Sequence, residues 1–242
     1  MVSPNQNFSQ DVSAYLKPRQ KESFDTIIKI ISDDPPNTLL DIGSASGDFL
    51  FQLLKNNLNI KTVGIDKSSA LIQLAKKRLN KRSNPKFHRL DILSTRDRPL
   101  LSRLLKTRAE FITILGTLHT FYDFAPILQP LISNPSTKKI LIHSPFNPDP
   151  VNVRVFHQDL SSLYKTYQSG YNIFSQAAIS EFLNSRQVCN FKFIPFVMEK
   201  TLIKNPNHPM FNYHLIDKTG KKWLTNGAGL IFQEYILTIN LR

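Results

Sequence analysis

The stretch Leu39-Leu40-Asp41-Ile42-Gly43-Ser44-Ala45-Ser46-Gly47-Asp48-Phe49-Leu50 decides the fold. An apolar run carries an acid near its end, passes through a turn of glycines and small residues, and re-enters an apolar pattern. That order predicts a buried strand, a tight turn and a helix. Gly43 and Gly47 lack a Cβ, so the backbone can approach a ligand and take dihedrals that other residues resist, while Ser44, Ala45 and Ser46 keep the turn open. Such a turn cradles a nucleotide cofactor, and Asp41 stands at the strand end facing it.

A dinucleotide-binding turn needs glycine where Ala45 and Asp48 stand, and its pyrophosphate is repelled by an acidic strand end. An acid at position 41 suits instead a cofactor with an amino group and a sulfonium, S-adenosyl-L-methionine (SAM). On Asp41, Gly43 and Gly47 the chain resembles the class I SAM-dependent methyltransferases, whose first motif is acidic-x-Gly-x-Gly-x-Gly; Ala45 departs from it at the middle glycine. The resemblance implies an α/β fold: a Rossmann-like, seven-stranded, mostly parallel sheet with helices on both faces and an antiparallel last strand. SAM is the implied cofactor, with Ser44 in its loop.

The next segments carry the same pattern. Lys61-Thr62-Val63-Gly64-Ile65-Asp66 reads as a second strand ending in an acid that can take both ribose hydroxyls, followed by Lys67, by Ser68 as a helix cap and by a helical run over 70–79. Phe87-His88-Arg89-Leu90-Asp91-Ile92 ends a third strand. In the resembled family an acid at the place of Asp91 meets the adenine amino group beside an apolar neighbour, here Ile92.

Length and composition bound the rest. A chain of 242 residues suffices for one large α/β domain. The single Cys189 rules out an internal disulfide and a cysteine-built zinc site, which fits a reducing cytoplasmic setting. The first eleven residues are polar, and no run approaches the roughly 20 apolar residues of a membrane span, so a soluble protein is expected. The net charge is +13, and between residues 76 and 108 twelve basic residues, from Lys76 to Arg108, face only Asp91 and Asp97. A solvated basic face at a sheet edge and an RNA-binding surface are both open readings.

One domain is expected. Residues 13–31 predict an N-terminal helix or pair of turns with Phe24, Ile27, Ile28 and Ile31 on one face, ahead of the break Asp33-Asp34-Pro35-Pro36; residues 1–36 form the N-terminal helical segment. Strands are predicted at 38–42, 61–65, 86–90, 111–115, 139–143, 191–198 and 230–241, with a helix capped by Ser175 between the fifth and sixth. The β-α alternation implies a parallel sheet. Residues 144–174 and 199–229 are too long for ordinary connections and are expected to form a lid and substrate wall beyond the carboxyl rim.

Methyl transfer needs alignment and exclusion of water, with a base where the acceptor is a hydroxyl or protonated amine. The fourth strand ends in Leu115-Gly116-Thr117-Leu118-His119-Thr120-Phe121-Tyr122-Asp123. In the resembled family this stretch faces the methyl group, which implies that Leu115 and Gly116 line the cofactor and that His119 is a base or shapes the pocket. Tyr122 is a further catalytic candidate, or with Asp123 caps the next helix. His143, expected to end the fifth strand, is a third catalytic candidate.

Asn147, Asp149, His157, His208, His214, Trp223 and Asn226 are expected in the pocket walls, and Tyr164, Tyr167 and Tyr171 share one face of a possible helix, as core or as a stacking stripe. Tyr15 and Arg19 match a Tyr-x-x-x-Arg pattern of some family members, in which the arginine meets the methionine carboxylate; a solvated helix charge is the alternative. No metal-ligand spacing is evident.

The acceptor loop of nucleobase and glutamine N-methyltransferases, Asn/Asp-Pro-Pro-aromatic, is missing after the fourth strand, and Cys189 is misplaced for attack on a pyrimidine. The expected reaction is O- or N-methylation of a small or medium-sized metabolite. The alternatives are a tRNA or rRNA methyltransferase and a non-catalytic SAM-binding regulator.

Overall fold

The computed structural model describes residues 15–56, 58–79, 85–158, 160 and 167–241. Helix α1 (Glu22–Asp33) buries Phe24, Ile27, Ile28 and Ile31, a stripe at helical spacing, and carries Glu22 and Asp25 in its first turn, where the helix dipole favours acids. It starts later than residue 13. Pro18 holds its neighbour extended and lacks an N–H donor, and residues 18–21 take no regular structure. Residues 1–14, where the expected helix begins, lie outside the described part.

Five β-α units follow: β1 (Thr38–Ile42), α2 (Asp48–Lys55), β2 (Lys61–Asp66), α3 (Ser69–Leu79), β3 (Lys86–Arg89), α4 (Arg98–Arg108), β4 (Phe111–Leu115), α5 (Ala125–Ile132) and β5 (Lys139–Asn147). The first insertion carries the two-residue strands β6 (Phe156–His157), β7 (Gln168–Ser169) and β8 (Phe174–Ser175). Then come α6 (Gln176–Asn184), β9 (Phe191–Phe196), the hairpin β10 (Tyr213–Ile216) and β11 (Lys222–Thr225), and β12 (Glu234–Asn240). Ser175 caps α6 as expected, its hydroxyl accepting from Ala178 N at 3.0 Å.

The main sheet runs β3-β2-β1-β4-β5-β12-β9, with β8 paired to the extension of β5 as a short eighth strand. Pairs along β3-β2-β1-β4-β5 are parallel, and β12 is antiparallel to both β5 and β9. The sheet has one core per face. Leu40 and Ile42 with α4, α5 and α6 build one, and Leu39, Phe111, Leu115, Leu141 and Ile236 with α1, α2 and α3 build the other. Strand order reverses between β1 and β4, the switch point where open α/β sheets bind ligands.

Three local expectations are corrected. β5 runs on to Asn147, so His143 sits inside the strand rather than at its end, because residues 144–146 are also buried and pair with β12 and β8. The tyrosine stripe is not helical: Tyr167 precedes β7 and is exposed, whereas Tyr171 follows it in a left-handed conformation (φ 58°). Tyr164 falls outside the described residues. The last strand begins at Glu234 rather than residue 230, since residues 230–233 serve the hairpin, with Phe232 N donating to Leu224 O at 3.1 Å. Among the described residues no helix is long and apolar enough to cross a membrane.

Candidate functional site

The glycine loop is held at the switch point by backbone bonds. Where β1 ends, Gly43 N and Ser44 N both donate to Ile65 O of β2, at 2.8 and 3.0 Å. Three residues of the loop are left-handed: Gly43 (φ 74°), Ala45 (φ 47°) and Gly47 (φ 78°). A Cβ on Gly43 would fall 2.2 Å from Thr117 Oγ1, so the loops after β1 and β4 touch there. Ala45, at the place of the motif's middle glycine, adopts the glycine-like conformation nonetheless. Gly47 opens α2, and its N–H donates to Ser44 O at 2.8 Å.

Two carboxylates flank this loop. Asp41 is 3% exposed and accepts from Thr113 Oγ1 at 2.8 Å. Burial pushes its pKa up to about 7, against the lowering effect of that hydroxyl, with Asp66 adding a smaller upward push. Asp66 accepts from Ala45 N at 3.0 Å and Ser68 N at 2.8 Å, so one side chain clamps the cofactor-type turn and the start of α3. Burial raises its pKa, partly offset by those two amides. Within the loop the hydroxyls of Ser44 and Ser46 are buried with no hydrogen-bond partner among the described residues.

The third acid, Asp91, is half-buried just past β3, accepting from Leu93 N at 3.0 Å, with Ile92 against the core beside it. Lys67 has an exposed side chain whose ammonium is hemmed by protein. Desolvation lowers its pKa, opposed by Asp91 and then Asp66. Leu115 ends β4, and Gly116 N donates to His143 O at 2.8 Å; a Cβ there would meet open space. Arg19 lies between the rings of Tyr15 (4.3 Å) and Phe211 (4.9 Å), which joins the N-terminal segment to the second insertion. That junction is reinforced by Glu22, whose carboxylate accepts from Glu199 N and Lys200 N at 2.7 and 2.9 Å.

On the α1 side of the sheet, alternation places Asp41, Thr113, His143 and Glu234 on the face of Leu39, Phe111, Leu141 and Ile236. α1 covers only the apolar part of this face, leaving a polar row near the carboxyl rim. His143 and Glu234 are 7% and 9% exposed, with Nε2 and Oε2 3.4 Å apart; Asn212 Nδ2, from the second insertion, donates to Glu234 Oε1 at 3.2 Å. The His143 contact has ion-pair distance without the alignment of a hydrogen bond, and Nε2 is otherwise unpartnered among the described residues. Burial pushes the Glu234 pKa up, but the attraction of His143 and Lys21 outweighs it, and the net shift is downward.

His119 lies in a 3-10 turn over 118–120, stacked on Tyr171 with centroids 5.0 Å apart. Burial lowers its pKa to about 4, offset partly by Glu234, and its Nδ1 is buried without a partner among the described residues. Tyr171 is held there by a loop bond, Asn172 N to His119 O at 2.9 Å; burial raises its hydroxyl pKa. Lys21, ahead of α1, is lowered by desolvation and by Arg19, with Glu234, Asp48 and Asp41 opposing. His119, Glu234 and Lys21 thus act on one another electrostatically.

Tyr122 stands apart. It is 44% exposed, against Phe156 and below the Arg154 guanidinium. Asp123 caps α5 instead, accepting from Ala125 N at 3.1 Å. Most wall candidates shape loops: Asn147 Oδ1 accepts from Asp149 N, His214 Nδ1 from Leu202 N and Asn226 Oδ1 from Ala228 N. Trp223 Nε1 donates to Asp217, and His208 stacks on Phe211. His157 lies edge-on to Tyr171, 6.5 Å away. Sequence reasoning missed Glu234, Asn212, Thr113 and Lys21. For Glu234 a signal existed: within Glu234-Tyr235-Ile236-Leu237 the acid shares the parity of the inward Ile236.

A family model described as a methyltransferase domain matches residues 33–206, and the chain belongs to that family. None of the curated proteins matches. Solved structures share the fold. The N-terminal domain of EvdMO1 with S-adenosylhomocysteine (SAH) bound is 11% identical, with 97% of this chain and 86% of that one covered and a TM-score of 0.59. Magnesium protoporphyrin IX methyltransferase from Synechocystis PCC 6803 with bound SAM is 11% identical, covering 98% and 94%, at 0.54. YcgJ from Bacillus subtilis is 11% identical, covering 90% and 97%, at 0.55.

SAM is the methyl donor of this methyltransferase family, and the chain is a SAM-dependent methyltransferase. The residues present fit the donor: the buried Asp41 and half-buried Asp66, both with raised pKa values, welcome a cationic ligand, and the loop offers two hydroxyls with no partner among the described residues.

Proposed function

We propose that the chain methylates an oxygen or nitrogen of a small or medium-sized metabolite. SAM supplies a methyl group already activated by its sulfonium. The chain's part is to bind, orient and keep water out. In this reading Gly43, Ser44, Gly47 and Asp41 receive the methionine end, Arg19 pairs with its carboxylate, and Asp66 with Lys67 holds the ribose. Asp91 and Ile92 take the adenine, and Leu115 and Gly116 line the path to the methyl group. The whole chain acts as one domain, with residues 144–174 and 199–229 as lid and wall.

The observation that carries the acceptor class is the group of side chains at the carboxyl rim near Gly116, where a Cβ would meet open space. His119, Tyr171, His143, Glu234 and Lys21 converge there, aromatic walls with a few aimed polar groups, the composition of a small-molecule pocket. His119, neutral and stacked, shapes this pocket. Its lowered pKa makes it a weak base at neutral pH. Tyr122, in the loop after β4, packs against Phe156 and Arg154 of the first insertion.

The test is incubation with methyl-labelled SAM and a cell extract, then separation into small molecules, RNA and protein. Label in the small-molecule fraction is expected. Label in RNA alone favours the second reading, for which the exposed Lys76, Lys77, Lys86, Arg96, Arg98, Arg103 and Lys106 speak. That reading requires RNA binding to weaken steeply with salt. No labelled product, with thermal stability still raised by SAM, points to a regulator.

A further inference from the structure

Glu234 has no part in the cofactor cradle, yet it is a carboxylate buried in the sheet, kept ionised by its surroundings, and engaged at each oxygen by a different element. Oε1 accepts from Asn212 of the second insertion, and Oε2 faces His143 Nε2 of β5. Burying an ion is costly unless it is paired. A glutamine or an apolar residue at the start of β12 would spare that cost, so the pair is out of place as mere packing. In strand register the pair lies beside the end of β4: His143 pairs with Leu115 across β4 and β5, and Glu234 pairs with Pro145, two residues further along β5.

We propose that His143 is the base that accepts the acceptor's proton, with Glu234 as the positioning residue that fixes its tautomer and stabilises the imidazolium formed. The proposal rests on the metabolite reading above. It also narrows it: the acceptor is a hydroxyl or an ammonium that carries a proton at neutral pH, rather than a carboxylate that needs no base. A hydroxyl attacks with its own lone pair and an ammonium with the pair that loss of its proton frees first; the bond to the methyl carbon forms as the carbon–sulfur bond breaks, leaving that bond's electron pair on sulfur. The acceptor's proton passes to His143 Nδ1, and the imidazolium hands a proton to water after product leaves. A carboxylate on Nε2 keeps that nitrogen protonated and Nδ1 free, the tautomer the step requires.

Geometry separates His143 from its neighbour. Among the described residues no carboxylate forms an ion pair with the His119 ring, whose Nδ1 is unpartnered, and the ring stacks on Tyr171. Against His143 stand Glu234 from β12 and the ring of Phe196 from β9, centroid 5.1 Å away; His119 after β4 acts on both His143 and Glu234, and Lys21 ahead of α1 acts on Glu234 and His119. A protonated His119 opposes the imidazolium, and Glu234 is the one anion among these groups. The 3.4 Å contact is loose for a hydrogen bond and has room to tighten when a substrate fills the cleft.

Two readouts test the pair. In the full chain with ¹⁵N-labelled histidine and SAH, the neutral His143 ring is expected as the Nε2–H tautomer, and Glu234→Gln is expected to shift it toward the Nδ1–H form. An Nδ1–H ring in the wild type, or a tautomer balance that E234Q leaves unmoved, overturns the proposal. In the second readout, methyl-labelled SAM and the small-molecule fraction of a cell extract are the probe. E234Q is expected to slow labelling at pH 7 by roughly 100-fold, with half-saturation by SAM unchanged and the pH dependence displaced. Labelling by E234Q at the wild-type rate and pH profile overturns it while leaving the metabolite reading intact. If the wild-type chain labels no small molecule, that reading fails on its own account, and the imidazole spectra still decide the pair.

Discussion

Ala45 shows what one methyl group costs in this loop. It takes the left-handed conformation (φ 47°) between Gly43 and Gly47 and donates its N–H to Asp66. That conformation costs a non-glycine residue about 1–2 kcal/mol, and glycine would relieve it at the expense of a more flexible unfolded chain. Ala45→Gly is therefore expected to leave the fold unchanged and alter stability by less than about 1 kcal/mol, with SAM affinity retained, measured by denaturant unfolding and calorimetry. A severalfold loss of affinity would show that the methyl itself touches the ligand. Asp41 carries a sharper prediction. With its pKa raised by burial to about 7, it is part-protonated at neutral pH, and a cationic ligand ionises it. SAM binding near pH 6.5 should release protons, detected as a dependence of the calorimetric enthalpy on buffer ionisation, and Asp41→Asn should suppress that release.

Among the elements, α1 and the second insertion are coupled through Glu22, whose carboxylate takes both amides at the start of the insertion, and through Arg19 between Tyr15 and Phe211. Glu22→Ala is expected to raise hydrogen exchange at residues 199–200 and to weaken SAM binding severalfold, while exchange in β1 and β4 stays as it was. Equal loss of protection throughout would mean that Glu22 serves global stability instead. These contacts were invisible in the sequence, because they join residues about 180 positions apart and leave no periodicity. The β-α alternation, by contrast, was fully legible: strands β1 to β4 and the Ser68 and Ser175 caps follow from local pattern, while the antiparallel closing strand was implied by the family resemblance. The sequence misjudged segments where tertiary contact decides. β5 overran His143 because the insertion returned a strand to pair with it, and Tyr171 left a helical stripe because it was needed beside His119. Glu234 went unnoticed since an acid opening a strand reads as an exposed end unless its partner is known.

For the molecule as a whole, two strongly shifted groups of the site, His119 and Asp41, oppose each other in pH dependence. His119 falls from 6.5 to about 4 on folding, so the unfolded chain binds its proton first; the stability it contributes is present above pH 6.5 and is lost as pH falls through about 4. Asp41 rises from 3.8 to about 7, so its contribution is present below pH 3.8 and is lost as pH rises through about 7. Between pH 4.5 and 6.5 the two slopes offset, and the ligand-free protein should be nearly flat in thermal stability. Asp41→Asn removes one slope, and that variant should lose stability on acidification while exceeding the wild type at pH 8. Parallel profiles for the two proteins would contradict this assignment. Both groups lie on one rim, where stability is given up for a site that accepts a cation. The most direct test of the whole account is the crystal structure of the SAH complex. The account predicts the amino-acid end over residues 43–47 beside Asp41, the ribose hydroxyls within hydrogen-bond distance of Asp66, and the sulfur facing the cleft of His119, His143 and Glu234. SAH bound away from the β1 and β4 loops, or with Asp66 turned from the ribose, would contradict it.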